Sequence, residues 1–265
     1  MSAPSSNHHA PVTADDRKVS VSSSATFEVD IAELWHVIGD FYDVAGWMPG
    51  IAASIAHRQD RVREVRITGG TEPMLEHLID EGSGWQQYGL VSGPLPVRNY
   101  VARLEAAVSG QARTTLTWTA TFTPIGPAPD ARTTVENVYR GALENLSIVL
   151  NRRATAATTT TAFAAILDEL TPRGVVEQLM FGQRGLMTGG HLFATTFHGG
   201  FAVRLLAGTP EFEAAISIDG ARVWNPTRRE KPFRDWVELP GNQVDVWADY
   251  ALAAFHSSAT SRRPS

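Results

Sequence analysis

Between Arg113 and Thr123 the chain alternates so strictly that a half-buried strand is the structure that satisfies it. Leu116, Trp118, Ala120 and Phe122 share one face, and Thr115, Thr117, Thr119, Thr121 and Thr123 share the other. Successive side chains of a strand point to opposite faces, so the apolar face must be covered while the threonine face is solvated. The cover follows at once. After a turn over 124–129, the residues Val135, Val138, Tyr139, Ala142, Leu143, Leu146, Val149 and Leu150 recur at helical spacing. A one-sided sheet followed by a long amphipathic helix leaves the helix one place to lie, on the sheet's inner face.

The upstream sequence supplies the rest of that sheet. Val19, Val21, Ala25, Phe27 and Val29 alternate with polar residues and predict a strand. Asp30, with Glu33 three residues on, opens a short helix whose face is Ile31, Leu34, Trp35, Ile38 and Phe41. Further strands are predicted over about 51–58, 62–68, 73–80, 85–91 and 98–109, mostly separated by glycine-rich turns. Strand, helix, six strands and a long helix is an α+β order.

The 265-residue length leaves room for a second unit. The boundaries expected are a disordered tail over 1–17, a first domain over 18–152, a linker over 153–162, a second α+β domain over 163–256 and a disordered tail over 257–265. The run from Asn151 to Ala162 lacks large apolar residues and reads partly as a continuation of the long helix and partly as linker. In the second domain, Phe163 to Leu170 predicts a short helix. The runs 191–197 and 201–206 around His198-Gly199-Gly200 predict a hairpin, and Thr209-Pro210 predicts a helix start. Phe233 to Leu239 predicts a strand, and a last helix starts near Asn242.

Composition excludes several chemistries. There is no cysteine, which removes disulfides, thiolate metal sites and a cysteine nucleophile. The net charge of −5 argues against broad nucleic-acid binding. No apolar run reaches the roughly 18 residues of a membrane span, the first residues lack an apolar leader, and the expected location is the cytoplasm. His8 and His9 form no closed ligand set, and neither metal nor cofactor is expected.

Residues 18–150 resemble the SRPBCC or START-like superfamily, in its polyketide cyclase/dehydrase branch. The resemblance is carried by Leu34 to Phe41, by Trp47-Met48-Pro49-Gly50 and by Gly93 to Tyr100. It implies a helix-grip fold, a curved antiparallel sheet around a long C-terminal helix, enclosing a cavity for a hydrophobic small molecule. A more distant likeness to plant abscisic acid receptors puts the positions of Glu76, Tyr100 and Asn145 at a ligand site. Met48 stands where those receptors carry the lysine that pairs with the hormone, so the likeness implies a pocket without hormone reception. Residues 163–255 resemble the TfoX N-terminal domain group. Met180-Phe181-Gly182, Gly185-Leu186, His191 to Ala194 and Lys231 to Glu238 carry that resemblance, which implies a small α+β fold with a regulatory or protein-interaction role.

Within the first domain the candidate ligand-binding residues are Arg63, Glu76, Tyr88, Tyr100, Trp118, Tyr139 and Asn145. Arg63 shares a face with Val65 and Ile67, and a buried arginine needs an acceptor. That acceptor is either a ligand anion or Glu76. Glu76 lies with Met74 and Leu78 and is either a general base or the partner of Arg63. Tyr100 can donate to a ligand carbonyl or simply pack. Tyr88, Trp118 and Tyr139, with Trp47 and Trp85, supply aromatic area to core or pocket. Asn145 is at the edge of the helix stripe, and His77 faces away from Glu76. In the second domain Arg184, Arg228, Arg229, Lys231 and Arg234 form a modest basic grouping. Serine-hydrolase, phosphate-loop and metalloprotease motifs are absent. Three functions remain: a hydrophobic-ligand binder with an interaction module, a cyclase, dehydratase or aromatase, and a competence- or transcription-related regulator. The residues leave open whether any reaction is catalysed.

Overall fold

The computed structural model describes residues 17–180, 182–226 and 232–260. The expected N-terminal tail with His8 and His9, the motif residue Phe181, the cations Arg228, Arg229 and Lys231, and residues 261–265 lie outside the described residues. The chain divides into two compact units, Met1–Leu150 and Asn151–Ser265.

The first unit begins with β1 (Val19–Phe27) and α1 (Ile31–Ile38). Six strands follow: β2 (Ile51–His57), β3 (Val62–Ile67), β4 (Met74–Gly82), β5 (Trp85–Ser92), β6 (Val97–Gly110) and β7 (Arg113–Pro124). They form one antiparallel sheet in the order β1-β7-β6-β5-β4-β3-β2. Every neighbour except β1 is joined by a hairpin, and α1 with its following turns carries the chain from one edge of the sheet to the other. Register shifts between Arg98 and Val101 and between Val108 and Gly110 interrupt the β6–β7 ladder; such bulges bend a strand and increase its twist. Asn99 takes the left-handed conformation at the first of them, which asparagine tolerates better than a branched residue.

Helix α2 (Ala128–Leu170) follows. Its first half presents Ala131, Val135, Tyr139, Ala142, Leu143, Leu146 and Leu150 to the core of the sheet. This is a helix-grip α+β arrangement. Two placements differ from expectation. Val138 is exposed, because the buried stripe runs through Val135 and Tyr139 and leaves it one step round the helix. Thr123 is buried at the end of β7, although its alternation places it on the solvated face.

The expected linker over 153–162 is helical throughout, as part of α2. Alanine is the best helix former, and the threonines here satisfy their hydroxyls locally. Thr158, Thr160 and Thr161 donate to the carbonyls of Ala154, Ala156 and Ala157. The short helix expected at Phe163 to Leu170 is the last part of the same element, and Phe163, Ile166 and Leu170 are buried in the second unit's core.

The second unit continues with β8 (Val176–Met180), β9 (Gln183–Thr188), β10 (His191–Phe197) and β11 (Gly200–Arg204). Then come α3 (Pro210–Ile216), β12 (Arg222–Val223), β13 (Trp236–Leu239) and α4 (Trp247–Thr260), which a 3-10 turn at Gly241–Val246 precedes. The strands form a second antiparallel sheet, β12-β13-β11-β10-β9-β8. The β10–β11 hairpin turns at His198 and Gly199, both at positive φ, the geometry of a type I′ turn. Thr209 caps α3, its hydroxyl accepting from the Phe212 N–H at 3.3 Å. β13 is shorter than expected, starting at Trp236. Periodicity predicts no strand over 176–188, where β8 and β9 lie. The last helix extends to Thr260, four residues into the stretch expected as tail.

Candidate functional site

The inner face of the first sheet is polar at its centre. Antiparallel register sets Arg63 on β3 directly opposite Glu76 on β4, and both are buried. The Arg63 Nε–H donates to Glu76 Oε2 at 2.7 Å, and Nη1 donates to the Phe41 carbonyl at 2.6 Å. The guanidinium also lies 4.2 Å from the Phe41 ring centroid and 5.0 Å from that of Tyr88. Arg63 and Glu76 thus form a buried ion pair.

Beside it runs an aromatic relay between sheet and helix. Trp118 Nε1–H donates to the Tyr88 hydroxyl at 2.9 Å. The hydroxyls of Tyr100 on β6 and Tyr139 on α2 bond each other at 2.5 Å. Trp118 stacks on Tyr139 with centroids 4.3 Å apart and planes 11° from parallel. Trp47, in the turn after α1, lies 5.8 Å from Trp118, and its carbonyl accepts from Asn145 Nδ2 at 2.7 Å. Six of the seven candidate residues are thus buried in one network. Asn145 is half-buried at its margin and ties α2 to the Trp47 turn. His77 is half-buried on the other parity, and Trp85 carries the Arg103 guanidinium over its ring at 4.0 Å.

Burial, first of all, pushes the Tyr88, Tyr100 and Tyr139 hydroxyls well above the usual phenol range. For Tyr100 the Tyr139 hydroxyl adds to the effect, and the Glu76 carboxylate raises all three. The phenols therefore stay protonated and act as donors. Above the ordinary value of 10.0 the unfolded chain releases phenol protons that the folded unit retains. The native state then binds more protons, so its stability falls as pH rises. Alkaline titration should show unfolding and phenolate absorbance appearing together, with the three buried phenols lagging behind exposed tyrosine.

Proton counting shows what the network lacks. Trp118, Tyr88, Tyr100 and Tyr139 bring four N–H or O–H donors. The Trp118–Tyr88 and Tyr100–Tyr139 bonds use two of them. Trp47 Nε1 is buried without a partner, and so is Gln86 Oε1, whose Nε2 donates to the Ile38 carbonyl. The unmet groups of Trp47 and Gln86 were not among the candidates. Gln86 shares the parity of Tyr88 on β5, which was the available signal.

Concavities of this unit include one of about 460 Å³ on the outer hydroxyl face around Ser20, Ser22, Thr119 and Thr121, and another of about 450 Å³ between β1 and α2. Among the described residues no cluster of three metal-ligating side chains is present, and no helix is long and apolar enough to cross a membrane. Of the basic grouping in the second unit, Arg184 is held by Glu177 through two hydrogen bonds, so it is no free cation.

A family profile described as polyketide cyclase/dehydrase and lipid transport matches residues 18–150. No curated protein matches the chain. Among solved structures, a Bacillus thuringiensis protein is 24% identical, with 50% of this chain and 98% of that one covered and a TM-score of 0.48. The XoxI protein of Bacillus cereus is 22% identical over 49% of this chain and 94% of its own, at a TM-score of 0.47. The Zhui aromatase/cyclase of Streptomyces sp. R1128 is 18% identical over 51% and 93%, at a TM-score of 0.41.

Proposed function

The chain belongs to the polyketide cyclase/dehydrase and lipid transport family through residues 18–150, and from that premise we propose that its first unit binds a hydrophobic small molecule bearing an oxygen acceptor. The second unit, in this reading, is a TfoX-like interaction or regulatory module. Family membership supports a hydrophobic-ligand-binding or a cyclase role. The observation that carries the binding reading is a buried donor left unmet beside the aromatic relay. Trp47 Nε1 has no protein acceptor, and an unmet buried donor costs about 1–3 kcal/mol. A carbonyl or ether oxygen placed against it would recover that cost, while the neighbouring rings would bury the ligand's carbon skeleton.

The same phenols are what a cyclase would use as acids, since burial keeps their protons in place. A base is harder to supply, because the Glu76 carboxylate is engaged by Arg63. Binding is therefore favoured over turnover.

Native mass spectrometry of the purified full chain, with thermal shift against a panel of hydrophobic ketones, tests the reading. A binder should gain about 2.7 kcal/mol at a hundredfold excess over Kd. Tyr139→Phe keeps the ring stack on Trp118 but deletes one hydroxyl, and should weaken binding about three- to tenfold. Absence of both a co-purifying compound and any shift across the panel would defeat the proposal.

A further inference from the structure

The second unit carries a cleft that neither its core nor the first unit's network explains. One face of its sheet packs against α4 around Phe193, Phe201 and Trp247. A separate cluster forms around Ala202, Trp224 and Trp236. The Trp224 ring lies 5.0 Å from Trp236 and 5.3 Å from Phe233. Phe233 remains 49% exposed, so this aromatic group ends in an open ring. Beside it lies a concavity of about 340 Å³ whose lining includes His191, Arg204, Phe233, Arg234, Asp235 and Trp236.

Three observations distinguish this cleft from an ordinary solvated surface. First, its arginines are uncommitted. Arg222 and Arg184 are each bound by a carboxylate across the sheet. Among the described residues neither Arg204 nor Arg234 has an ion-pair partner. Asp235 is the one acid in the lining, and its Oδ1 accepts from the Ala207 N–H at 3.2 Å. Second, the exposed Phe233 ring stands in the same lining as the two cations. Third, Trp224 Nε1 is buried without a partner, on a ring in contact with two lining residues. A buried donor in this state calls for an explanation such as a bound water or ligand.

We propose that this cleft binds a small planar aromatic anion, its ring against Phe233 and its phosphate or carboxylate between Arg204 and Arg234. Guanidinium groups match the planar oxygens of such anions, and an open aromatic face adds stacking that a bare anion cannot use. The volume is near the lower end of the roughly 300–1,000 Å³ range of ligand sites, which suits a mononucleotide or an aromatic acid. The site is independent of the ligand proposed for the first unit.

Isothermal titration calorimetry on the full chain at physiological salt tests it, with adenosine monophosphate and salicylate as the two sources of the anion. Binding of either one supports the proposal and identifies the source. Adenosine and inorganic phosphate should each bind at least about tenfold more weakly than the nucleotide if that is the source. Phe233→Ala and Arg234→Gln, both at exposed positions, should each weaken the bound probe about tenfold without changing the melting temperature. No binding of either anion at millimolar concentration would overturn the proposal. So would wild-type affinity in both variants, or inorganic phosphate binding as tightly as the nucleotide.

Discussion

Arg63→Met should destabilise the first unit by about 3–5 kcal/mol, a large part of the total stability of an ordinary domain. The substitution leaves the Glu76 carboxylate buried with no countercharge and removes the donor to the Phe41 carbonyl. It also removes the cation between the rings of Phe41 and Tyr88. Glu76→Gln should cost less. The stranded guanidinium keeps its bond to Phe41 and both ring faces, and an amide still offers an oxygen to Nε. The double variant Arg63→Met with Glu76→Leu should recover most of the loss, because no ion is then left in the dry interior. Denaturant titration of the full chain, fitted with a separate transition for each unit, checks the ordering. Both single variants falling within about 1 kcal/mol of wild type would mean that water reaches the pair. The expectation also changes how activity data should be read. Loss of binding or turnover in either single variant would not identify a catalytic group, since the fold itself is at stake.

Much of this pair was legible in the sequence. Arg63 and Glu76 share parity with Val65 and Leu78, and alternation alone turns all four inward. The strands of the first unit were legible for the same reason, with glycine turns marking their ends. The partner of Arg63 at Phe41 was not legible, because it depends on where the chain runs after α1. Nor was the Tyr100–Tyr139 bond. It joins a strand to a helix, and its existence depends on the rotation and depth of α2 over the sheet. Over 153–162 few large apolar residues left helix continuation and linker both open, and alanine propensity with threonine back-bonding sustains helix throughout. β8 escaped detection because an edge strand with Val176 and Leu179 both exposed shows no alternation to detect. In the second unit the hairpin and the Thr209 cap were readable from local turn chemistry. The cleft beside Phe233 was not, because Arg204 comes to the lining that holds Arg234 only through its pairing with Trp236 across β11 and β13.

Trp247→Ala should cost the second unit about 3–5 kcal/mol while leaving the first at wild-type stability. The indole is fully buried, stacks on Phe201 at 4.9 Å with planes 19° from parallel, and donates from Nε1 to the Pro240 carbonyl at 3.3 Å. Truncation therefore opens a large void and removes one of the two donors to the Pro240 carbonyl, which keeps the Gln243 N–H at 3.1 Å. Trp247→Phe should recover much of the loss by refilling most of the space, though without the hydrogen bond. Confinement to one unit follows from the packing. The buried residues around Trp247 run from Phe163 to Ala254, those of the first core from Val19 to Leu150, and no residue belongs to both. The element that runs through both is α2, so it is the route by which damage could spread. In a denaturant titration the second transition alone should move, and a ligand of the first unit should still raise the first. If both transitions fall together, α2 couples the two units into one cooperative body, and occupancy of the helix-grip interior would then be felt energetically in the second unit through the helix they share.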